Sequence, residues 1–279
     1  MKDLSIIIVS WNVLDKLREC LRAIQPGGLD IEVFVVDNAS RDESADMVRQ
    51  EFPNVTVIAN DANLGFAKAN NQAIRESTGR YVLLLNPDMR PFPETFTGLV
   101  AWMDGHPQAG IVGIRLENQN GEIVPHVRRF PRFLDQFATL TKLGRLFPAV
   151  LDRYLMRDFD YSTEAQVDSI RGSFFAIRRE VIDRIGSLDE DYFIWFEEVD
   201  FCKKATNAGF QVWYTPSVRC VDYVGQSFKQ VRMFPKQKMF SKSMLTYFKK
   251  HRPWWEWSVL AIVRPFMLGL AKLHDVCRK

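Results

Sequence analysis

Short apolar runs alternate with segments of helical periodicity through the first 115 residues, and this alternation constrains the fold more strongly than any other feature. Residues 4–9 form a nearly continuous apolar run rich in isoleucine, which is typical of a strand buried on both faces. Apolar residues then recur at helical spacing over residues 13–24. Because this order repeats, we predict a mostly parallel sheet covered by helices on both faces.

The same patterns predict the remaining elements. Further strands are predicted at residues 31–36, 55–59, 81–85, 110–115 and 211–214. Further helices are predicted at residues 42–51, 66–77, 94–103, 140–155 and 197–207. Three prolines punctuate residues 116–170, and we expect an irregular region there.

The composition excludes several classes of protein. The chain has 279 residues, of which 47% are hydrophobic and 25% charged, so we expect a globular core rather than disorder. No two of the four cysteines have the spacing of a metal-binding pair, which favours reduced thiols in a cytoplasmic protein. No apolar signal segment and no run of about 18 apolar residues occurs, so we expect the chain to stay on the cytoplasmic side.

Polar residues follow the predicted strands. Because ligands of open α/β sheets bind beyond the carboxyl ends of the strands, this pattern favours a polar ligand site. Asn, Asp and Ser are also common in turns and helix caps, which accounts for any one of these residues taken singly. The residues concerned are Ser10, Asn12, Asp37, Asn38, Ser40, Asp42, Asn60, Asn63, Asn86 and Asp88.

Glycine-rich phosphate loops do not occur in the sequence. Neither G-x-G-x-x-G after the first strand nor G-x-x-x-x-G-K-[ST] at any position is found. A diphosphate ligand would therefore need a metal ion or basic side chains to neutralise its charge.

Six motifs occur in order between residue 5 and about residue 227, which is about four-fifths of the chain. They are SIIIVSWN (5–12), VVDNASRDES (35–44), NLGFAKANNQ (63–72), LLLNPD (83–88), RGSFFAIRRE (171–180) and LDEDYFIWFEEVDFCKKA (188–205). Together they resemble the family 2 glycosyltransferases, and more closely the bacterial rhamnosyltransferase-like branch of that family.

This resemblance implies a GT-A fold, a nucleoside-diphosphate sugar donor, a divalent cation (Mg²⁺ or Mn²⁺) and inversion at the anomeric carbon. Asp37 would hydrogen-bond the base of the nucleotide. Asn86 takes the place of the first carboxylate of the family's D-x-D motif, so Asp88 would bind the metal. The nucleotide pocket would also be lined by Ser10, Asn12 and Asn63.

Two further residues have open roles on the donor side. The family often has a His-His pair near the end of the domain, where this chain has Asp222. Asp222 would replace the histidine as an oxygen ligand, or the metal would keep Asp88 and the diphosphate as its only ligands besides water. Arg171 would contact the diphosphate or the acceptor, unless it is an ordinary surface arginine.

Acidic residues crowd beside aromatic ones at the start of the helix predicted over residues 197–207. By the resemblance Glu198 is the catalytic base, with Asp200 as the second choice, and Glu197 and Trp195 lie on the acceptor side. Like charges and apolar neighbours raise carboxylate pKa values, as a base working near neutrality requires. Acids at a helix N-terminus also complement the helix dipole, and a lone tryptophan is more often core than a sugar platform.

The C-terminal extension is basic and aromatic. Between Asp222 and Glu256 there are eight Lys or Arg and no acidic residue, and three tryptophans follow within residues 254–257. This pattern favours a membrane-surface element. The alternatives are a helical pair packed on the main domain or on another subunit, and, ranked last, a nucleic-acid-binding segment. We therefore expect no nucleic-acid partner.

The sequence thus predicts a metal-dependent inverting glycosyltransferase on the inner face of the cell membrane. Residues 1–227 would form the GT-A domain, with 1–115 as its nucleotide-binding half and 116–227 as its acceptor-side half, and residues 228–279 the extension. L-Rhamnose from dTDP-rhamnose is the first donor choice and UDP-linked sugars come next, with a glycan or lipid-linked glycan of the cell surface as acceptor. The oligomeric state stays open, a homo-oligomer included.

Two other functions compete with this prediction. A sugar-phosphate nucleotidyltransferase would share the sheet, the nucleotide and the metal, but it usually carries a glycine-rich basic loop, and residues 5–12 are not one. A non-catalytic nucleotide-sugar-binding protein is the second alternative. The presence of Asp88 and Glu198 argues against it.

Overall fold

The first half of the chain forms the alternating strands and helices that its periodicity predicts. The computed structural model describes residues 1–223 and 231–277. The strands are β1 (Leu4–Ser10), β2 (Ile31–Asp37), β3 (Val55–Ala59), β4 (Tyr81–Leu85), β5 (Met89–Pro91), β6 (Ala109–Glu117), β7 (Val127–Arg128), β8 (Ala165–Gln166), β9 (Ser169–Ile170), β10 (Phe174–Arg178) and β11 (Gln211–Asp222). The helices are α1 (Leu14–Ala23), α2 (Ser44–Glu51), α3 (Phe66–Glu76), α4 (Thr95–Gly105), α5 (Phe133–Leu140), α6 (Leu143–Leu146), α7 (Asp152–Leu155), α8 (Arg179–Ile185), α9 (Glu197–Asn207), α10 (Met233–His251) and α11 (Trp254–Cys277).

Within the described residues, nine strands form one sheet in the order β3-β2-β1-β4-β10-β6-β11-β5, with β8 beside β11. The strands β3, β2, β1 and β4 are all parallel, so their carboxyl ends meet at one edge. Strand β10 runs antiparallel between β4 and β6, which brings the residues before Phe174 to that same edge. There, Asn86 donates a backbone hydrogen bond of 2.9 Å to the carbonyl oxygen of Ser173.

Alternate residues of the strands pack on opposite faces of the sheet. Ile6 and Ile8 of β1 join a buried cluster with Leu17 of α1 on one face. Ile7 joins a second cluster, which includes Ala73 of α3, on the other face. The predicted sheet with helices on both faces is therefore confirmed, and side chains at the strand ends are left free to form a site.

The prediction of one helix over residues 140–155 is wrong. The segment forms α6, a 3-10 turn at Pro148–Leu151 and then α7. Lys142 has a left-handed backbone with φ of +64°, and Pro148 lacks the N–H that a continuing helix needs. The strand predicted at residues 211–214 continues to Asp222, because shifts in its register with β6 accommodate Pro216.

The C-terminal helices α10 and α11 form an antiparallel pair packed on the rest of the molecule. Asp275 near the end of α11 accepts a 2.8 Å hydrogen bond from the backbone N–H of Phe234 near the start of α10. Met244, Tyr247, Phe248 and Leu260 of this pair share a buried cluster with Tyr192, Phe196 and Val199. The predicted domain boundary near residue 227 lies outside the described residues and stays a prediction. In the part of the chain that the structure describes, no helix is long and apolar enough to span a membrane.

Candidate functional site

Two adjoining cavities open at the carboxyl edge of the sheet. The first has a volume of about 350 Å³ and the second about 300 Å³. Phe66, Asn86 and Ile194 line both, so the cavities share a wall. Side chains specific to the first include Trp11, Asn38, Asn63 and Asp88. Side chains specific to the second include Arg171, Ser173, Trp195, Glu197, Glu198 and Asp222.

Ser10 and Asp37 end the parallel strands β1 and β2. Neither lines either cavity, but their sequence neighbours Val9, Trp11 and Asn38 line the first. Asp37 is 4% exposed, and its Oδ2 accepts a 2.9 Å hydrogen bond from the backbone N–H of Ser40. The other carboxylate oxygen of Asp37 and the hydroxyl of Ser10 are buried without a hydrogen-bond partner among the described residues. Buried polar atoms are normally satisfied, so these two are poised for a polar ligand or bound water.

Asn12 and Asn63 shape the loops around the first cavity. The Asn12 side chain accepts a 2.7 Å hydrogen bond from the backbone N–H of Arg41, and Asn12 itself has a φ of +53°. Asparagine tolerates this left-handed conformation better than most residues. Asn63 lines the cavity directly and accepts a 3.0 Å hydrogen bond from the backbone N–H of Gly65.

Gly65 brings the start of α3 against the loop that precedes α9. Its φ is +85°, and the next N–H, from Phe66, donates a 2.7 Å hydrogen bond to the carbonyl oxygen of Phe193. A Cβ at position 65 would lie 2.3 Å from that same oxygen. Only glycine fits this approach, which joins the loop before α3 to the loop carrying Ile194 and Trp195.

Asp88 lies in the turn just before β5 and lines the first cavity, and Asp222 ends the adjacent strand β11 and lines the second. They are 3% and 2% exposed, and the backbone N–H of Tyr223 donates a 3.1 Å hydrogen bond to the carbonyl oxygen of Asp88. The guanidinium of Arg171 lies 3.4 Å from Oδ2 of Asp222. The structure thus brings both predicted metal ligands and Arg171 together.

These residues fit a hard divalent cation. Two carboxylates and the side-chain amide of Asn86 offer oxygen ligands, and Mg²⁺ is commonly held by one or two carboxylates plus substrate phosphates. Among residues 1–223 and 231–277, no cluster of three or more His, Cys, Asp or Glu side chains could hold a metal ion. A cation here would therefore complete its coordination with water and a bound diphosphate.

The acid pair Glu197 and Glu198 begins α9 and lines the second cavity. The two residues before it, Trp195 and Phe196, have φ values of +64° and +72°, and such consecutive left-handed conformations are strained outside glycine. One carboxylate oxygen of each glutamate is buried with no hydrogen-bond partner in the described residues. The loop thus aims two incompletely satisfied acids at the cavity.

Burial and mutual repulsion perturb this pair. Burial raises the pKa of Glu197 well above its ordinary value, and the neighbouring charge of Glu198 raises it further. Burial also raises the pKa of Glu198, but backbone hydrogen bonds and the positive charge of Arg171 oppose the rise. The guanidinium of Arg171 thus favours the ionised form of Glu198.

Asp200, the second choice for the base, is not brought to the cavity. Two residues along a helix turn the side chain by about 200°, so Asp200 points away from Glu198. It is fully buried and holds His251 at 2.6 Å and Lys204 at 2.7 Å. Trp195, in contrast, lines the second cavity while its ring packs edge-on against Phe240 at 6.1 Å.

Helix α10 supplies a wall of the first cavity that the sequence patterns did not reveal. Pro235 and Met239 of α10 line it one turn apart, which is one face of a helix, and Val231, two residues before the helix begins, lines it as well. Ser243, one turn beyond Met239, donates a 2.8 Å hydrogen bond to the carbonyl oxygen of Ile194, which lines both cavities. The spacing indicates an apolar face but does not say what that face contacts.

Comparison with known proteins gives consistent matches. A sequence model described as "Glycosyl transferase family 2" matches residues 5–186. The chain is 26% identical over 241 residues to an N-acetylglucosaminyl-diphospho-decaprenol L-rhamnosyltransferase of Mycobacterium tuberculosis, covering 81% of this chain and 77% of that protein. It is 24% identical over 226 residues to the rhamnosyltransferase WbbL of Escherichia coli, covering 78% and 82%.

Solved structures share the fold. The mannosyltransferase PcManGT from Pyrobaculum calidifontis, in complex with GDP-Man and Mn²⁺, matches with a TM-score of 0.60 and 20% identity over 98% of this chain and 75% of that one. GalNAc-T7 with UDP, GalNAc and Mn²⁺ matches with a TM-score of 0.59 and 17% identity, over 80% and 44%. At these identities the likeness concerns the fold alone.

Proposed function

Because this chain belongs to glycosyl transferase family 2 and has a GT-A fold, we propose that it transfers a sugar with inversion from a nucleoside-diphosphate donor to an acceptor hydroxyl. Asp88 and Glu198 border two cavities that share Asn86 as a wall, and this arrangement is the main support for the proposal. A donor in the first cavity would present its anomeric carbon to an acceptor in the second.

The first cavity is proposed to hold the nucleotide and its diphosphate. Asp37 would accept a hydrogen bond from the base, with Ser10, Asn12 and Asn63 around the nucleotide. Asp88, with Asp222 beside it, would hold Mg²⁺ or Mn²⁺. When bound, such a cation neutralises the charge that develops on the leaving diphosphate. Arg171 lies where it can add a second positive charge on the acceptor side.

Glu198 is proposed as the general base. Burial and the charge of Glu198 both raise the pKa of Glu197, whereas at Glu198 the charge of Arg171 opposes the rise. Glu198, with Arg171 favouring its ionised form, can take the proton from the acceptor hydroxyl as the hydroxyl attacks. General base catalysis of this kind typically contributes about 10²–10⁴-fold in rate. One displacement inverts the anomeric centre and needs no covalent intermediate.

The donor and acceptor are proposed from the relatives. Two rhamnosyltransferases cover more than three-quarters of this chain, which supports L-rhamnose from dTDP-rhamnose before UDP-linked sugars. One of them is named for a decaprenol-linked acceptor, which supports a lipid-linked glycan of cell-surface polysaccharide synthesis here. Such an acceptor would require a peripheral position on the inner face of the membrane. The division into a GT-A domain up to residue 227 and an extension from residue 228 is part of this proposal.

A thermal-shift screen with parallel donor hydrolysis tests the proposal. We expect dTDP-rhamnose with Mn²⁺ to raise the melting temperature more than either alone, with slow release of dTDP. Asp88→Ala should lose the part of the rise in melting temperature that depends on Mn²⁺. Asp61→Ala changes an exposed aspartate outside both cavities and should keep that part. Exchange of pyrophosphate with a nucleoside triphosphate would instead indicate a nucleotidyltransferase, and binding without any turnover would indicate a non-catalytic protein.

A further inference from the structure

Helix α11 carries an apolar stripe that nothing in the described structure covers. Its side chains recur every three or four residues, so from residue 255 to residue 273 they share one face of the 24-residue helix, over a length of about 27 Å. They are between 36% and 72% exposed. The stripe consists of Trp255, Val259, Ile262, Phe266, Leu270 and Leu273.

The charged residues of α11 lie off this stripe. Glu256 is 4% exposed and paired with Arg252 at 2.7 Å. The carboxylate of Asp275 accepts hydrogen bonds from the backbone N–H groups of Met233 and Phe234 at the start of α10. Arg264 reaches Ser241 of α10 at 2.9 Å. The opposite face of the helix includes the fully buried Leu260, which packs in the cluster that α10 and α11 share with Tyr192, Phe196 and Val199.

Positive charge is concentrated in the same helical pair. Residues 231–277 contain nine Lys or Arg and two acidic residues, whereas the whole chain has a net charge of only +3. Arg232, just before α10, and Lys238, Lys242 and Lys249 on it are exposed. Lys249 lies 5.2 Å from the ring centre of Trp257, whose side chain is about 200° around α11 from the stripe residue Trp255, so this lysine adjoins α11 beside its packed face.

A second group of apolar side chains adjoins one end of the stripe. The ring of Phe133 in α5 lies 5.5 Å from the ring of Trp255. The next residue, Leu134, is 66% exposed, and Leu146 and Phe147 beyond α5 are exposed to a similar degree. The uncovered apolar surface therefore extends from α11 onto α5 and the segment that follows it.

We propose that the α11 stripe is the surface by which the protein lies on an anionic phospholipid bilayer, with α11 parallel to the membrane plane. An interfacial helix buries its apolar face at the headgroup boundary while flanking Lys and Arg contact anionic lipids. A second copy of the chain is a poorer occupant, because it would bring the same positive excess against the first. The stripe is the surface that would hold the protein at the membrane. This inference rests on the proposed function only in that a lipid-linked acceptor would require such a position.

The stripe is coupled to the candidate active site through α10. That helix packs against α11 on one side, while its Met239 lines the first cavity and its Ser243 holds Ile194 on another. A bilayer beneath α11 would therefore hold the two cavities at a fixed height above the headgroups.

Flotation of the full chain with phospholipid vesicles tests the surface. We expect binding to vesicles of equimolar phosphatidylcholine and phosphatidylglycerol, with weaker binding to phosphatidylcholine alone and at high salt. Ile262→Gln and Phe266→Gln should each lower the partition coefficient about tenfold, because each removes a buried apolar side chain from the interface. Ile123→Gln is the matched control, since Ile123 is 38% exposed away from α11, and it should bind as wild type does.

Equal flotation of the stripe variants and wild type would overturn the proposal. A wild-type dimer in sedimentation velocity that Ile262→Gln dissociates would overturn it in favour of a second copy. Thermal unfolding and vesicle-free donor hydrolysis show that each variant is folded. If flotation behaves as expected but no variant or wild type turns over any nucleotide sugar, the surface stands and the proposed catalytic function fails.

Discussion

The Nε2 of His251 lies 2.6 Å from Oδ1 of Asp200, and this hydrogen bond joins α10 to the helix that begins with Glu197 and Glu198. Lys204 contacts the other carboxylate oxygen at 2.7 Å, and the hydroxyl of Tyr192 donates to Oδ1 at 3.2 Å. The contacts of Asp200 therefore link α9 to the C-terminal helix α10, although the sequence alone makes Asp200 a candidate base.

Asp200→Asn should destabilise the fold rather than remove the chemistry. The change takes a charge from a buried network, and hydrogen bonds to charged groups contribute about 1.5–3 kcal/mol. We expect a loss of that size in denaturant unfolding, with transfer by the folded fraction within about threefold of wild type. A hundredfold loss of transfer with unchanged stability would instead make Asp200 the base.

Met239→Trp should obstruct the first cavity from its α10 wall. The larger ring has to occupy space in a cavity of about 350 Å³, and overpacking typically costs about 1–3 kcal/mol. We expect the KM for the donor to rise about tenfold or more, while kcat falls less. Lys242→Trp, on the exposed face of the same helix, is the control and should leave KM unchanged. Equal kinetics of the two variants would show that α10 does not bound the donor site.

Gly65→Ala and Gly121→Ala form a matched pair. Both glycines have positive φ, +85° and +79°, which side-chain-bearing residues rarely adopt, so both changes strain the backbone by about 1–3 kcal/mol. Only at Gly65 would the new Cβ meet an obstacle, the Phe193 carbonyl oxygen at 2.3 Å. We expect Gly65→Ala to lose more stability and also donor affinity, measured by denaturant unfolding and calorimetry. Similar losses in both variants would contradict the close approach of the two loops.

The acid limb of the pH–rate profile should reflect Glu198. A base acts only when deprotonated, and burial raises the pKa of Glu198, so kcat/KM should fall as pH drops through a value above the ordinary range of glutamate. Arg171→Gln removes a charge that lowers this pKa and should move the limb to higher pH. If the limb does not move in Arg171→Gln and its midpoint does not lie above the ordinary pKa range of glutamate, the limb belongs to a group other than Glu198.

Local patterns predict the elements that build the site. The strand at residues 81–85 and the helix at residues 197–207 form with the predicted bounds, because each combines strong periodicity with a clear boundary. The break within residues 140–155 depends partly on the left-handed Lys142, which has no sequence signal, but Pro148 within the segment is itself a signal against one continuous helix.

Long-range packing sets what the sequence could not predict. Helical spacing indicates that Glu198 and Asp200 point in different directions, but only the fold determines that Glu198 faces the cavity. The apolar spacing of Val231, Pro235 and Met239 likewise leaves open whether that face meets the core, a membrane or a ligand cavity. The exposed stripe on α11 becomes visible only once the opposite face is seen to be packed.

Transfer by Glu198→Gln at saturating donor and Mn²⁺, with donor affinity measured on the same sample, tests the central claim most directly. The variant keeps the size and most of the polarity of the side chain but cannot accept the acceptor proton. We predict a fall in kcat of at least about a hundredfold with donor affinity unchanged. Wild-type transfer by this variant would contradict the claim that Glu198 is the base.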